Sequence, residues 1–307
     1  MRLNSLPRWC IVACVLASGP VRAADISGLA SNIPAEGIHL KPVVVQSSQG
    51  GGQSLGIDYD LSKVVRGDIA SSIWPSSESK GQFLSQSVIG LKGRGSLNSG
   101  TQGVHAEAHE WDITAAQEFQ SLPIYVLVGL SAQVQAAQNL DRRHTLWGMR
   151  GLVAKASFLT PGDTASMRML YSTVKPEKDP QRLALLGHLE SFKRWNLESR
   201  YELPVMRKGE KSDDPVWQKL RNLEFGYRHS QEIGAPSLVR AAGLVQHRMG
   251  YVRLSLAGDY FIQYAQGRQA FDPASGRSVK VGWELKLSHS THPGAHELEA
   301  SPPLASS

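Results

Sequence analysis

The chain has 307 residues, a net charge of +6 and two cysteines. Both cysteines, Cys10 and Cys14, fall within Met1–Ala23, so the remainder can form no disulfide, thiolate nucleophile or cysteine metal site. Arg2, Arg8 and Arg22 fall there too; removing those three charges from +6 leaves +3, too mild and scattered to mark a nucleic-acid binder.

In chain order, Met1–Ala23 reads as a secretory signal, with basic Arg2 and Arg8, an apolar Trp9–Ala17 and a small residue at Ala23. Ile11-Val12-Ala13-Cys14 also fits a lipobox, although the apolar run continues past the cysteine. Beyond the signal, no segment reaches the roughly 18 apolar residues of a membrane helix. Residues 24–53 form an N-terminal segment, partly disordered, with a short β-like piece at Lys41–Gln46 and a Gly/Ser/Gln loop at Ser47–Gly56. Residues 54–288 read as one β domain and 289–307 as a flexible tail.

Strands are expected near 54–65, 83–97, 102–113, 122–135, 144–158, 164–175, 183–205, 216–230, 237–248, 250–265 and 278–288. Turn-forming stretches such as Pro161-Gly162-Asp163 and Asp213-Asp214-Pro215 separate them. Ala106–Gln120 holds good helix formers and also fits an amphipathic helix. Arg182–His188 and Leu238–His247 leave helix and strand open.

Alternation is clearest in Leu189–Leu203. Leu189, Trp195, Leu197, Tyr201 and Leu203 share one face of a strand, while Glu190, Arg194, Glu198, Arg200 and Glu202 share the other. The same split recurs in Leu223–Arg228, Val252–Leu256 and Met167–Tyr171. A half-solvated soluble sheet alternates in this way as well. Several runs here are longer than about 10 residues, however, which is beyond an ordinary strand and suits one that crosses a bilayer. Trp147, Tyr171, Trp195, Tyr201, Trp217, Tyr227, Tyr251, Tyr260, Tyr264 and Trp283 supply a sparse aromatic girdle.

Val279, Val281, Trp283, Leu285 and Leu287 also alternate with polar residues. Within this strand, Lys280, Gly282, Leu285 and Leu287 have the spacing of the C-terminal assembly signal of outer-membrane β-barrel proteins, which the segment resembles. It departs from that pattern in having Ser288–Ser307 after Leu287, where an aromatic usually closes the chain. The resemblance implies an outer-membrane location, with outer-membrane lipid and the barrel-assembly machinery as partners. Segment count and the even-strand rule then give an all-β, antiparallel up-and-down barrel of about 12 strands, with room for one short helix.

On such a barrel the charged face becomes a mixed-charge lumen. The expected lining is Arg168, Arg194, Arg200, Arg228, Arg253, Lys280 and Lys286, with Glu198, Glu224 and Glu284 among the acids. The expected role is a narrow pore or an accessory, structural barrel. The solute would be small and polar or anionic, with no cofactor or metal, and the oligomeric state is open. A barrel-borne acyl hydrolase acting on lipid or lipopolysaccharide is the second reading, and a soluble periplasmic β-rich binding protein the third.

Three motifs touch on chemistry. Gly52-Gln53-Ser54-Leu55-Gly56 matches a nucleophile elbow, but a loop precedes the serine and a strand follows it, the reverse of what that elbow needs. His229-Ser230 would supply a base and a nucleophile. Adjacent strand residues face opposite ways, so either would need a partner from a neighbouring strand. His105, Glu107 and His109 would share a strand face, or the two histidines would lie one helical turn apart; a pair of histidines without a third ligand of known position favours a polar face over a zinc site.

Overall fold

The computed structural model describes residues 37–47, 53–66, 83–98, 108–121, 123–205, 219–272 and 275–287. Its strands are β1 Gly37–Ser47, β2 Gln53–Arg66, β3 Phe83–Asn98, β4 His109–Ser121, β5 Ile124–Ala136, β6 Arg143–Ala156 and β7 Thr164–Lys178. They continue as β8 Phe192–Pro204, β9 Leu220–Ile233, β10 Gln246–Leu256, β11 Tyr260–Gly267, β12 Gly276–Trp283 and β13 Leu285–Leu287. Each strand from β1 to β11 pairs antiparallel with the next. β12 and β13 both pair with β1, through Val43↔Gly282 and Ile38↔Leu287, so together they form one strand interrupted at Glu284. The ladder therefore closes into a 12-stranded barrel. Closure gives every strand two neighbours, which is what a backbone surrounded by hydrocarbon requires.

The Ile38↔Leu287 register puts the start of β1 and the end of β13 at one mouth, here called the terminal mouth. Two short helices, α1 Pro180–Leu186 and α2 Ser237–Ala241, lie in the β7–β8 and β9–β10 connections at the opposite, helical mouth. Asp179 caps α1 by accepting the Arg182 backbone N–H at 3.0 Å, Pro180 opens the helix, and Gly187 ends it at φ 74°.

The side-chain period of two sorts each strand. On β6, Leu146 is 0% exposed and Arg150 and Leu152 are buried, whereas Trp147 and Met149 (61% exposed) point outward. The apolar core is small. Tyr125, Leu152, Ala154 and Ala156 form one buried cluster, and Val43, Val45 and Phe261 another. Most of the remaining interior is polar.

At the β6–β7 turn, fully buried Asp163 accepts backbone N–H groups from Leu159 (2.9 Å) and Thr160 (2.8 Å), and the Tyr201 hydroxyl at 2.7 Å. Burial opposes its charge, but the Tyr201 hydroxyl and the turn's N–H groups outweigh that and hold the carboxyl below the usual carboxylate range.

Several expectations are corrected. The barrel begins at Gly37, not at residue 54, because β1 is the strand that closes it. At Ala106–Gln120, where a strand near 102–113 and an amphipathic helix were both open, the chain is β4 from His109 onward, its helix propensity overridden by ladders to β3 and β5. The single strand expected over 250–265 is a hairpin, β10 and β11, joined through a short 3₁₀ turn at Ala257–Asp259. Residues 237–248 divide between α2 and the start of β10, and 183–205 between α1 and β8. Tyr251 points inward rather than joining the girdle. It lies over Gly226, where an added Cβ would meet its ring at 2.1 Å. The signal, the tail after Leu287, Trp217, His105 and Glu107 fall outside the described residues.

Candidate functional site: an interior divided by charge

The interior is organised around Glu198 on β8. Its carboxylate accepts from Arg228 Nε on β9 (3.2 Å), Arg168 Nη1 on β7 (3.5 Å) and Arg94 Nη1 on β3 (3.4 Å). Arg168 and Arg228 are neighbours, but Arg94 comes from five strands away on a 12-strand ring, close to the opposite wall. Arg94 Nη2 also donates to Glu110 on β4 at 2.7 Å, and Gln133 steadies Glu110 from β5 at 2.6 Å. The result is a knot of guanidinium and carboxylate groups that bridges the barrel.

Arg94, Arg168, Glu198 and Arg228 line two cavities at once, one on each side of the knot. The cavity toward the terminal mouth measures about 830 Å³. Its wall carries Lys41, Lys92, Arg94, Arg168, Arg200, Arg221, Arg228 and Arg253 against Asp58, Asp60, Glu198, Glu202, Glu224, Asp259 and Glu284. Most of these charges are matched locally. Arg200 reaches Glu224 (2.8 Å) and Glu202 (3.3 Å), and Tyr251 donates to Glu224 at 2.6 Å. Glu284 meets His39 at 2.8 Å and Arg253 at 3.3 Å.

The cavity toward the helical mouth measures about 130 Å³. Its wall carries six arginines (Arg94, Arg150, Arg168, Arg194, Arg228 and Arg268) against two carboxylates, Glu110 and Glu198. Arg150 is matched from behind by Asp112 on β4. Above this cavity, Arg182 of α1 pairs with Glu232, both nearly fully buried, and its guanidinium lies 4.0 Å from the centre of the Phe192 ring. Nearby, His144 Nε2 lies 3.0 Å from Asp179, and the His144 ring packs against Phe271. For Asp179, burial opposes the charge; the His144 contact and the Arg182 N–H outweigh it and hold the carboxyl below the usual range.

The expected lumen residues thus divide. Arg168, Arg200, Arg228, Arg253, Glu198, Glu224 and Glu284 line the larger cavity, and Arg168, Arg194, Arg228 and Glu198 the smaller. Lys280 is buried and donates to Asp58 at 2.6 Å without reaching either cavity. Lys286 pairs in register with His39, and its side chain is outside the described residues. Sequence reasoning missed Arg94, Glu110 and Arg150. Arg94 and Arg150 stand among glycines and leucines, and Glu110 lies where strand and helix were both open. Extending the alternation through Leu91–Leu97 would have put Arg94 on the polar face.

Among the motif residues, Ser54 lies in β2 with strand on both sides, which removes the elbow reading. His229 and Ser230 both border the smaller cavity, but their side chains leave β9 toward opposite faces. The His229 ring lies tilted against Trp195, centroids 4.6 Å apart, and Ser230 faces His247, its register partner on β10. The two therefore do not act as a pair. His109 Nδ1 lies 2.8 Å from the Tyr59 hydroxyl, and no group of metal-binding side chains is found among the described residues.

Outside, the wall is apolar. Leu55, Ile57, Leu91, Ile113, Leu130, Met149, Met169, Ile262 and Val281 are exposed, with Trp111, Trp147, Tyr171, Tyr227, Tyr260, Tyr264 and Trp283 among them. An apolar surface of this extent is not stable in water, whereas a bilayer covers it. A closed antiparallel ladder, an apolar exterior and a charged interior define a transmembrane β-barrel of the outer-membrane type.

Solved structures similar to the chain include a porin, an outer-membrane channel and an autotransporter translocator domain. NanC porin is 11% identical, covering 81% of this chain and 100% of its own, with a TM-score of 0.43. The DcaP outer-membrane channel of Acinetobacter baumannii is 7% identical over 81% and 97%, with a TM-score of 0.34. The translocator domain of the autotransporter NalP from Neisseria meningitidis is 11% identical over 85% and 95%, with a TM-score of 0.31. No protein-family model matches the chain, and no curated protein matches it.

Proposed function

We propose that the chain is an outer-membrane barrel acting as a narrow passage for small polar or anionic solutes, with a mixed-charge lumen closed down at the Glu198 knot. The observation that carries this reading is the Arg94–Glu198 bridge between near-opposite walls, with a solvent-sized cavity on either side. Constrictions of paired charge select solutes by field and size. The apolar wall supports a membrane location over a soluble periplasmic one. The test is single-channel recording in planar bilayers. The wild type should show small conductance steps, and Arg94→Ala, which removes the strut from one wall, should enlarge them several-fold. Silence from both proteins would leave a structural barrel and remove the passage.

We also assign the assembly role to Lys280, Gly282, Leu285 and Leu287. In support, Leu285 and Leu287 are exposed on the outer wall, and Gly282 lies so close to Pro42 that an added Cβ would meet its carbonyl oxygen at 2.4 Å. Leu287→Asp should reduce the heat-modifiable folded form in the membrane fraction; an undiminished folded band would refute the assignment.

A further inference from the structure

The smaller cavity holds a cation that has no ion-pair partner among the described residues. Arg194 on β8 is 5% exposed, and its guanidinium donates through Nη2 to the amide oxygen of Gln135 on β5. Its Nε is buried without a hydrogen-bond partner, and no carboxylate among the described residues lies within ion-pair distance of it. The acids nearest in charge are already engaged. Glu110 accepts from Arg94 and Gln133, and Glu232 is held by both Nη atoms of Arg182. On the other side of the cavity, Arg168 and Arg228 both meet Glu198, and Arg94 divides between Glu198 and Glu110. Arg268, from the β11–β12 connection, donates from Nε to the backbone oxygen of Asp272 and from Nη1 to that of Gly243.

An enclosed guanidinium without a counter-charge is costly, and a bound anion removes that cost. Guanidinium groups match the oxygen spacing of carboxylate, phosphate and sulfate, so the natural occupant is an oxyanion. A cavity of about 130 Å³ between the knot and α1 suits a compact group. We propose that this cavity is a binding site for one small oxyanion, anchored by Arg194 and held in the field of the arginines around Glu198. This rests on the mixed-charge lumen proposed above and names the solute class at its helical end.

The experiment is isothermal titration of the purified full chain in detergent with inorganic phosphate, sulfate and acetate at constant ionic strength. Saturable binding at one site per chain is expected for at least one of them, and the three arms distinguish phosphoryl, sulfuryl and carboxylate preference. Arg194→Gln should weaken binding by about tenfold or more, as loss of a charge-assisted contact does. Arg194→Lys should restore part of it. Gln135→Glu provides a carboxylate beside Arg194 without emptying the site; it should abolish binding while leaving the heat-modifiable barrel intact, which separates loss of the site from loss of the fold. Arg200→Gln, in the larger cavity, should leave the affinity unchanged. Absence of saturable binding by the wild type to all three anions, or equal affinity in Gln135→Glu, would overturn the site. Binding without conductance would retain the site and reject the passage; conductance without binding would do the reverse.

Discussion

The two interior cavities share four residues and one barrel, yet they treat charge in opposite ways. Toward the terminal mouth, eight cationic side chains face seven acidic ones, the space is wide, and most charges have a partner on an adjacent strand. Toward the helical mouth, six arginines face two carboxylates in a space about one-sixth as large, roofed by α1 and the Phe271 loop. In the wide chamber the pairs keep 10–34% side-chain exposure, and the partners offset one another's loss of hydration. Charges under a roof interact strongly, and each missing partner matters. The same residue types therefore solvate one chamber and polarise the other.

Breaking the roof should have the largest effect. Arg182→Ala would leave Glu232 buried without its counter-charge, and a loss of about 3–5 kcal/mol is expected for such a break. Urea titration of the barrel in detergent measures it, and a loss under about 1 kcal/mol would mean that water enters the roof freely.

Next comes the β6–β7 turn. Asp163→Ala leaves several part-buried donors without their acceptor and should cost roughly 1–3 kcal/mol. Because the folded carboxyl is held below its ordinary value, its stabilisation is fully present above the usual carboxylate range. It is lost as pH falls through the folded value, in the acid region below about pH 4. Asp163→Asn should flatten that acid limb; an identical limb in the variant would place the pH dependence elsewhere.

The knot itself is a quarter exposed at Glu198, so Glu198→Gln should cost only about 1–2 kcal/mol. Its larger effect is on selectivity, because three arginines lose their shared acid. Reversal potentials in a salt gradient should move toward anions, and no movement would detach the knot from the solute path. In the wide chamber, Arg200→Gln should change stability by less than about 1 kcal/mol, since its side chain is one-third exposed. A larger loss would show that this chamber is less aqueous than its pairs suggest.

Much of the fold was legible in single segments. Trp195, Leu197 and Tyr201 against Arg194, Glu198 and Arg200 marked both the strand and its two faces, because a side-chain period of two is a property of the backbone. The segments that misled did so for local reasons. In β4, the stretch around Ala115 and Ala116 has helix propensity, yet it pairs on both sides with strands whose contribution no local window contains. Leu238–Ala241 carries apolar residues that suit either a strand or the short helix it forms at the roof. Half of the candidate site was legible as well. Arg168, Arg194, Arg228 and Glu198 follow from alternation, whereas Arg94 and Glu110 meet them only across the barrel.

The chain's own pattern thus dictated a train of long amphipathic strands, one face for hydrocarbon and one for charge, since each strand carries its own period. Which charges neutralise one another was decided by closure of the ring. That depends on register and on the distance across the barrel, which bring Arg94 to Glu198 over 104 residues and leave Arg194 with an amide where a carboxylate would neutralise it.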